Sequence, residues 1–301
     1  MVCYYPLKGY RSRTLTKNGK RSIVFNRNHG FTDLPVKVPC GQCTGCRLER
    51  SRQWAIRCTH EASLHENNCF ITLTYDDEHL PYNGSLDVTH FQKFMKRLRK
   101  KYAPKTIRFY HCGEYGSQFG RPHYHACLFG HDFEDKYLWK ESNGVPLYRS
   151  SQLENLWTFG HSSVGTVTFE SAAYVARYIM KKVTGDDAQD HYQHLDENGE
   201  FHDRLPEYTT MSRRPGIGKD WFEKFSKDVY PEDFIVLNNK KMRPPKYYDG
   251  LYEVKEPNEY QSIKRRRKLA TSEHSENNTP ERLRVREKVQ EAKLKTLKRV
   301  L

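Results

Sequence analysis

The chain has 301 residues, with 51 Lys plus Arg against 37 Asp plus Glu and a formal net charge of +14. That length holds one large domain or two modest ones around a real core, and so basic a balance points to a polyanionic partner, nucleic acid first. An anionic membrane is the rival, but no apolar run approaches the roughly 20 residues of a bilayer span. The opening Met1-Val2-Cys3-Tyr4-Tyr5-Pro6 also lacks the apolar core of a signal peptide, so a soluble intracellular protein is expected. In that setting the eight cysteines are thiols or metal ligands rather than disulfides.

In chain order, the first stretch mixes polar, aromatic and glycine residues and closes in Pro39-Cys40-Gly41-Gln42-Cys43-Thr44-Gly45-Cys46. Thiols two residues apart with turn-forming spacers suit wrapping around one metal ion. A fourth ligand is needed. Cys3 is the first choice because Val38-Pro39 leads into the cluster from the N-terminal segment, with Cys58 or His60 as alternatives. Structural Zn²⁺ is the expectation; an iron–sulfur cluster shares the C-x₂-C-x₂-C opening, and plain reduced thiols remain open.

A helix follows over about 47–66, then a strand over Cys69–Tyr75 rich in β-branched and aromatic residues. Phe91, Phe94, Met95 and Leu98 make one apolar stripe of a helix over 87–102. Strands over 106–112 and 122–129 form an antiparallel hairpin around a loop from Gly113 to Gly120. Residues 131–150 read as polar and irregular. A short helix near 153–157, a strand near 163–169 and a helix over 170–183 come next, then an exposed loop over 184–206 and a helix over 219–229. Residues 1–66 are thus expected to form an N-terminal segment with the cysteine cluster and a helix, 67–230 the central domain, and 231–301 a basic helical tail. The hairpin argues for an α+β fold, with a central antiparallel sheet and helices on one face. Cys69, Cys112 and Cys127 fall on strands and read as core residues.

The chemistry concentrates in two places. His123 and His125 flank Tyr124 on a strand, so the pleat turns both imidazoles to one face, which suits a divalent metal. A carboxylate is the natural third ligand for Mg²⁺ or Mn²⁺, and Glu114 on the preceding strand can fold back beside the pair; His111 is a weaker rival. Tyr174 and Tyr178 lie four apart on a helix, sharing a face with a rise of about 6 Å. Phenols ionise only near pH ~10, so cations must help, and Arg177, Lys181 and Lys182 offer charge, Lys181 being best spaced. A metal that polarises a phosphate beside two phenol nucleophiles is equipment for cutting and rejoining nucleic acid.

Residues 240–301 carry 18 basic and 9 acidic side chains, a net +9. Within them Lys264-Arg265-Arg266-Arg267-Lys268 reads as a hold on DNA phosphates without sequence readout, or on an acidic protein. Asn278-Thr279-Pro280-Glu281 has the cap-and-proline signature of a helix start. No Walker-type Gly-x₄-Gly-Lys-Ser/Thr appears, so no nucleotide cofactor is expected.

Together these motifs resemble the HUH endonucleases with two tyrosines, the rolling-circle replication initiators. Their flanks are similar to the replication initiation proteins of gokushovirus-type microviruses. Further support comes from Cys69-Phe70-Ile71-Thr72-Leu73-Thr74-Tyr75, His111-Cys112-Gly113-Glu114-Tyr115-Gly116 and Met211-Ser212-Arg213-Arg214-Pro215-Gly216-Ile217-Gly218. The resemblance covers roughly residues 1–220 and implies an antiparallel sheet with the metal site at its centre, Glu114 as the upstream ligand, and Tyr174 and Tyr178 alternating as nucleophiles. It implies single-stranded and duplex origin DNA as substrate, held by residues that include Arg213 and Arg214, with host helicase and polymerase as partners in the bacterial cytoplasm. Arg177 stands where such initiators commonly carry lysine, which keeps the charge but changes its geometry. An HUH transposase or relaxase, or a non-enzymatic zinc-containing nucleic-acid-binding protein, are the alternatives.

Overall fold

The computed structural model describes residues 3–17, 19, 21–116, 119–142, 144–177, 182–183, 188–195 and 198–296. Strands β1 (Leu7–Leu15), β2 (Arg21–Val24) and β3 (Gly30–Val38) lead, followed by α1 (Thr44–Ala62), β4 (Asn68–Tyr75), α2 (Val88–Lys101), β5 (Arg108–Tyr115) and β6 (Pro122–Phe129). Next come β7 (Tyr137–Ser142), β8 (Val145–Arg149), α3 (Ser151–Leu156), β9 (Gly160–Gly165) and α4 (Phe169–Arg177). After α5 (Ala188–Tyr192), β10 (Gln193–Leu195), β11 (Phe201–Asp203) and β12 (Tyr208–Met211), the chain runs through α6 (Lys219–Val229), β13 (Ile235–Leu237) and β14 (Lys240–Met242). Helices α7 (Lys246–Lys255), α8 (Pro257–Ser272) and α9 (Pro280–Thr296) close it.

The chain divides into two compact units, residues 1–50 with 262–298, and residues 51–261. In the first, β1 is central in an antiparallel sheet of order β2-β1-β3. Only Gly9, Tyr10 and Ser12 of β1 are buried, too thin an apolar alternation for the strand to stand out in the sequence. Gly30 is required where β3 crosses β1, since a Cβ there would lie 2.5 Å from that of Tyr10. Helix α9 starts at Pro280, as the Asn278-Thr279-Pro280-Glu281 signature predicts, and the Tyr5 hydroxyl donates to Glu287 Oε2 at 2.5 Å.

The second unit is built on a seven-stranded antiparallel sheet of order β12-β5-β6-β4-β9-β8-β7. Asp87 caps α2 through the amide of Thr89, and the helix then buries Phe91, Phe94, Met95 and Leu98, the spacing of one helical face. That stripe packs with Ile71, Leu73, Tyr124 and Leu128 from the sheet and Leu153 and Leu156 from α3. The opposite face buries Phe70, Tyr110, Cys112, Cys127 and Phe129 under Ala55 and Cys58 of α1 and Ala172, Val175 and Ala176 of α4. Each large side chain buried in this way contributes roughly 1.5–3 kcal/mol. The α+β class with an antiparallel central sheet is as expected; α2 and α3 cover one face, while α1 and α4 overlie part of the second and leave its His123 end open. Under α1, Glu61 pairs with Arg108 at 2.5 Å and accepts from the Gly218 amide at 2.7 Å, fixing the turn after Arg213-Arg214.

Two stretches differ from the sequence expectation. Residues 131–150 contain the β7–β8 hairpin, whose period of two is broken because the register shifts between Leu138 and Lys140. Residues 184–206 contain α5 and the β10–β11 pair, each too short for a periodic signal. No described helix is long and apolar enough to cross a membrane.

Phe94 is fully buried between α2 and the sheet, so Phe94→Ala should cost about 3–5 kcal/mol in urea unfolding. His60 stacks on Trp221 at 3.5 Å and meets the Tyr248 hydroxyl at 3.0 Å through Nδ1, and burial lowers its pKa to about 3. The unfolded chain binds this proton near pH 6.5 and the folded chain does not. The stability is therefore full above about pH 6.5 and is lost as pH falls toward about 3. The urea midpoint should drop over that window, with a shallower slope in His60→Gln.

Candidate functional site on the open sheet face

Strand β6 lies between β5 and β4, and its register decides what meets its histidines. His123 is opposite Glu114 on one side and Thr74 on the other; His125 is opposite Cys112 and Thr72. Directly paired residues share a face, so Glu114, His123, His125, Thr72 and Thr74 all stand on the side that α2 does not cover. Thr74 Oγ1 is 3.0 Å from His123 Nδ1, and Thr72 Oγ1 is 3.0 Å from His125 Nδ1. His125 Nε2 comes within 3.2 Å of Glu114 Oε1, and both residues are buried. His123 Nε2 lies against Gly116, where a Cβ would intrude to 2.8 Å. Hydroxyls that hold each Nδ1 leave each Nε2 as the outward donor atom, an arrangement that fits a divalent cation with the Glu114 carboxylate as third ligand. His111 is removed from this set. It projects to the opposite face, stacked on Phe91 at 3.4 Å with Nδ1 3.0 Å from Thr210 Oγ1, and burial drives its pKa well down.

Helix α4 brings Tyr174 to the same patch. A reciprocal pair starts the helix, the Thr168 amide on Ser171 Oγ at 2.8 Å and the Ser171 amide on Thr168 Oγ1 at 3.1 Å. Ala172, Val175 and Ala176 are small enough to let it lie close to the sheet, and Ser51 Oγ of α1 donates to the Ala173 carbonyl at 2.9 Å. The Tyr174 ring then stands edge-on to His125 at 5.2 Å and to Phe70 at 6.4 Å. Arg177 ends α4 exposed, and Lys182 is half-buried. Tyr178 and Lys181 lie outside the described residues.

The sequence reading missed the far side of the patch. On β9, His161 is opposite Thr74 and Ser163 opposite Thr72, which extends the two rows of the site by one strand. His161-Ser162-Ser163 alternates like His123-Tyr124-His125, but without a second histidine or an apolar run it does not stand out.

In the first unit, the sulfurs of Cys3, Cys40, Cys43 and Cys46 lie within 4.8 Å of one another, a cluster that can hold a metal ion. Cys40 and Cys46 are 4.0 Å apart, close to the edge, about 3.8 Å, of a tetrahedron with metal–sulfur bonds of about 2.3 Å. Backbone amides point at the sulfurs, Cys40 N to Cys3 Sγ at 3.2 Å, Cys43 N to Cys40 Sγ at 3.3 Å and Tyr4 N to Cys43 Sγ at 3.4 Å. Burial raises the Cys40 thiol, but the amides of Cys43 and Gln42 outweigh it and bring it down to about 7, the direction a ligand requires. Cys58 and His60, the alternative fourth ligands, are occupied in the core of the second unit. Cys69, Cys112 and Cys127 are core residues, as expected. Lys264, Arg265, Arg266 and Lys268 are exposed on α8, Arg267 half-buried there, and Arg213 and Arg214 are exposed on their turn.

Residues 68–183, the span that carries the sheet-face site, match the replication-associated protein ORF2 family. Over 287 residues the chain is 35% identical to Replication-associated protein VP4 of Bdellovibrio phage phiMH2K, an alignment that covers 92% of this chain and 85% of that one. It is 34% identical to Replication-associated protein ORF2 of Spiroplasma virus 4, covering 76% and 70% respectively. A further relative is Replication-associated protein ORF4 of Chlamydia phage 1, 34% identical over 74% of this chain and 55% of that one. No solved structure matches. By extent and identity alike, the chain belongs to the microvirus family of phage replication-associated proteins.

Proposed function

We propose that the chain is a site-specific, metal-dependent single-strand DNA endonuclease and strand transferase that starts rolling-circle replication in the host cytoplasm. The observation that carries this reading is the approach of the Tyr174 ring to within 5.2 Å of His125, whose Nε2 already faces Glu114. A phenol beside a donor set for a hard cation, in a phage replication family, is what tyrosyl transfer requires.

Mg²⁺ or Mn²⁺ held by His123, His125 and Glu114 would neutralise charge on the scissile phosphate. Thr72 and Thr74 keep the imidazoles oriented through Nδ1. The Tyr174 hydroxyl, losing its proton, attacks phosphorus: the tyrosyl O–P bond forms and the P–O3′ bond breaks. The 3′ oxygen takes up a proton and leaves as a free 3′-OH for host polymerase, while the 5′ end stays covalently on the tyrosine. Tyr178 repeats the cut on the next origin copy, and the 3′-OH it releases attacks the first phosphotyrosine and closes the circle. Arg177, Lys181 and Lys182 supply positive charge near the phenols. Arg213 and Arg214, with the Lys264–Lys268 block, hold backbone phosphates while a host helicase opens the duplex.

We assign structural Zn²⁺ to Cys3, Cys40, Cys43 and Cys46, because four thiols in a closed set leave no open position for chemistry.

Purified protein with Mn²⁺ or Mg²⁺ and single-stranded origin DNA should give a covalent band on a denaturing gel. The band should survive Tyr174→Phe or Tyr178→Phe alone and vanish in the double variant and in His123→Ala. Thr72→Val should lower metal affinity or activity by roughly 10–100-fold. A band lost with one single tyrosine variant argues for a one-tyrosine relative, and tight binding with no band argues for a binding module. Elemental analysis should find one zinc per chain, absent from Cys40→Ser; iron with visible absorption would instead identify an iron–sulfur cluster.

A further inference from the structure

We propose that a cavity beside Tyr174 takes one unpaired base of the DNA strand, stacked on Trp139. The cavity has a volume of about 280 Å³ and shares His125 and Tyr174 with the site above. Its other walls include Phe70 of β4, Leu147 of β8, and His161 and Ser163 of β9. Drug-sized ligands occupy pockets of roughly 300–1,000 Å³, so this one is scaled to a smaller planar group. Gly165 lowers the floor: a Cβ there would already touch Phe70 at 3.7 Å and Leu147 at 3.8 Å.

Trp139 is where it is because of a bulge. Leu138 pairs with Tyr148 and Lys140 with Leu147, so Trp139 is the extra residue between them and escapes the alternation of β7. Bulges re-aim side chains in this way. The indole stays 48% exposed, an uncommon position for a tryptophan. Cations flank it, with Lys140 Nζ 4.2 Å and Arg149 Cζ 5.8 Å from its ring centroid, Arg149 being held by Glu154 at 2.7 Å. An exposed aromatic ring between cations is the composition of a single-strand platform, in which a base stacks and the backbone runs over positive charge. Polar groups at the base edge, Thr72, Thr74, His161 and Ser163, offer hydrogen bonds that a paired base would already have made within the duplex. Duplex bases are stacked on both faces, so only an unstacked strand can enter. If Tyr174 attacks a phosphate, as proposed above, the pocket holds a base next to the cut; the pocket would then set the register of cleavage.

The test is photocrosslinking with full-length protein and single-stranded DNA substituted with 5-iodouracil, without added metal, followed by peptide mapping. The expected crosslink is on Trp139. Trp139→Ala should weaken single-strand affinity roughly 5- to 150-fold, the range of one base–aromatic stack. Trp139→Phe should recover most of it, Ser163→Leu should block the pocket, and duplex affinity should stay unchanged in all three. Crosslinks elsewhere with unaltered affinity overturn the base site, whether or not a covalent adduct forms. A Trp139 crosslink from protein that never forms an adduct supports the base site while removing the nuclease reading. Equal losses for single-strand and duplex DNA also overturn it, because a charge or folding effect then suffices.

Discussion

Strand β6 is hydrogen-bonded along its length to β5 on one side and β4 on the other, and this double clamp determines which atoms meet. A slip of one residue would turn His123 and His125 into the core under α2 and bring Tyr124 to the open face. Tyr124 resists that exchange. Its hydroxyl lies 2.7 Å from that of Tyr75, donates to the Asp87 carbonyl at 2.9 Å, and accepts from the Asp87 amide at 2.9 Å. The residue between the two histidines thus locks the register that the histidines need, and does so from the other side of the sheet.

The two faces treat the same residue type in opposite ways. His111 and His125 stand on neighbouring strands, yet one is sealed against Phe91 and kept neutral, while the other is set between Thr72 and Glu114. Burial disfavours the charged imidazole on the first face. On the second, hydroxyl and carboxylate partners orient the ring. The helices follow the same division, because α2 needs a continuous apolar surface and α4 uses alanines to approach without covering the pair.

The site was readable from the sequence wherever it depended on alternation or short spacing. His123-x-His125, the cysteine triplet and the α2 stripe each lie within one element, so local periodicity exposes them. The pairing of Glu114 with His125 followed once the hairpin was recognised. Less was readable where geometry arises from contacts distant in sequence or from broken periodicity. Trp139 was hidden because a bulge interrupts the pattern of β7, and His161 because its partner row runs across three strands. The strands of the first sheet were hidden by their exposure, and the unit they belong to is drawn from both ends of the chain, whereas the sequence reading divided it linearly at 66 and 230.

That discontinuous unit has a consequence for biosynthesis. Tyr5 emerges early, but its partner Glu287 lies beyond the whole of residues 51–261. Closing so long a loop adds only a logarithmic entropy term, about 0.6 kcal/mol per doubling, so distance costs little at equilibrium. In time it matters more, since long-range contacts form late. The sheet of the second unit has all its strands before α9 exists, and the first unit gains its last helix only when translation has passed Glu287. A prematurely terminated product would carry the cysteines and the histidines but lack that helix, which makes completion of the first unit a structural record of full-length synthesis.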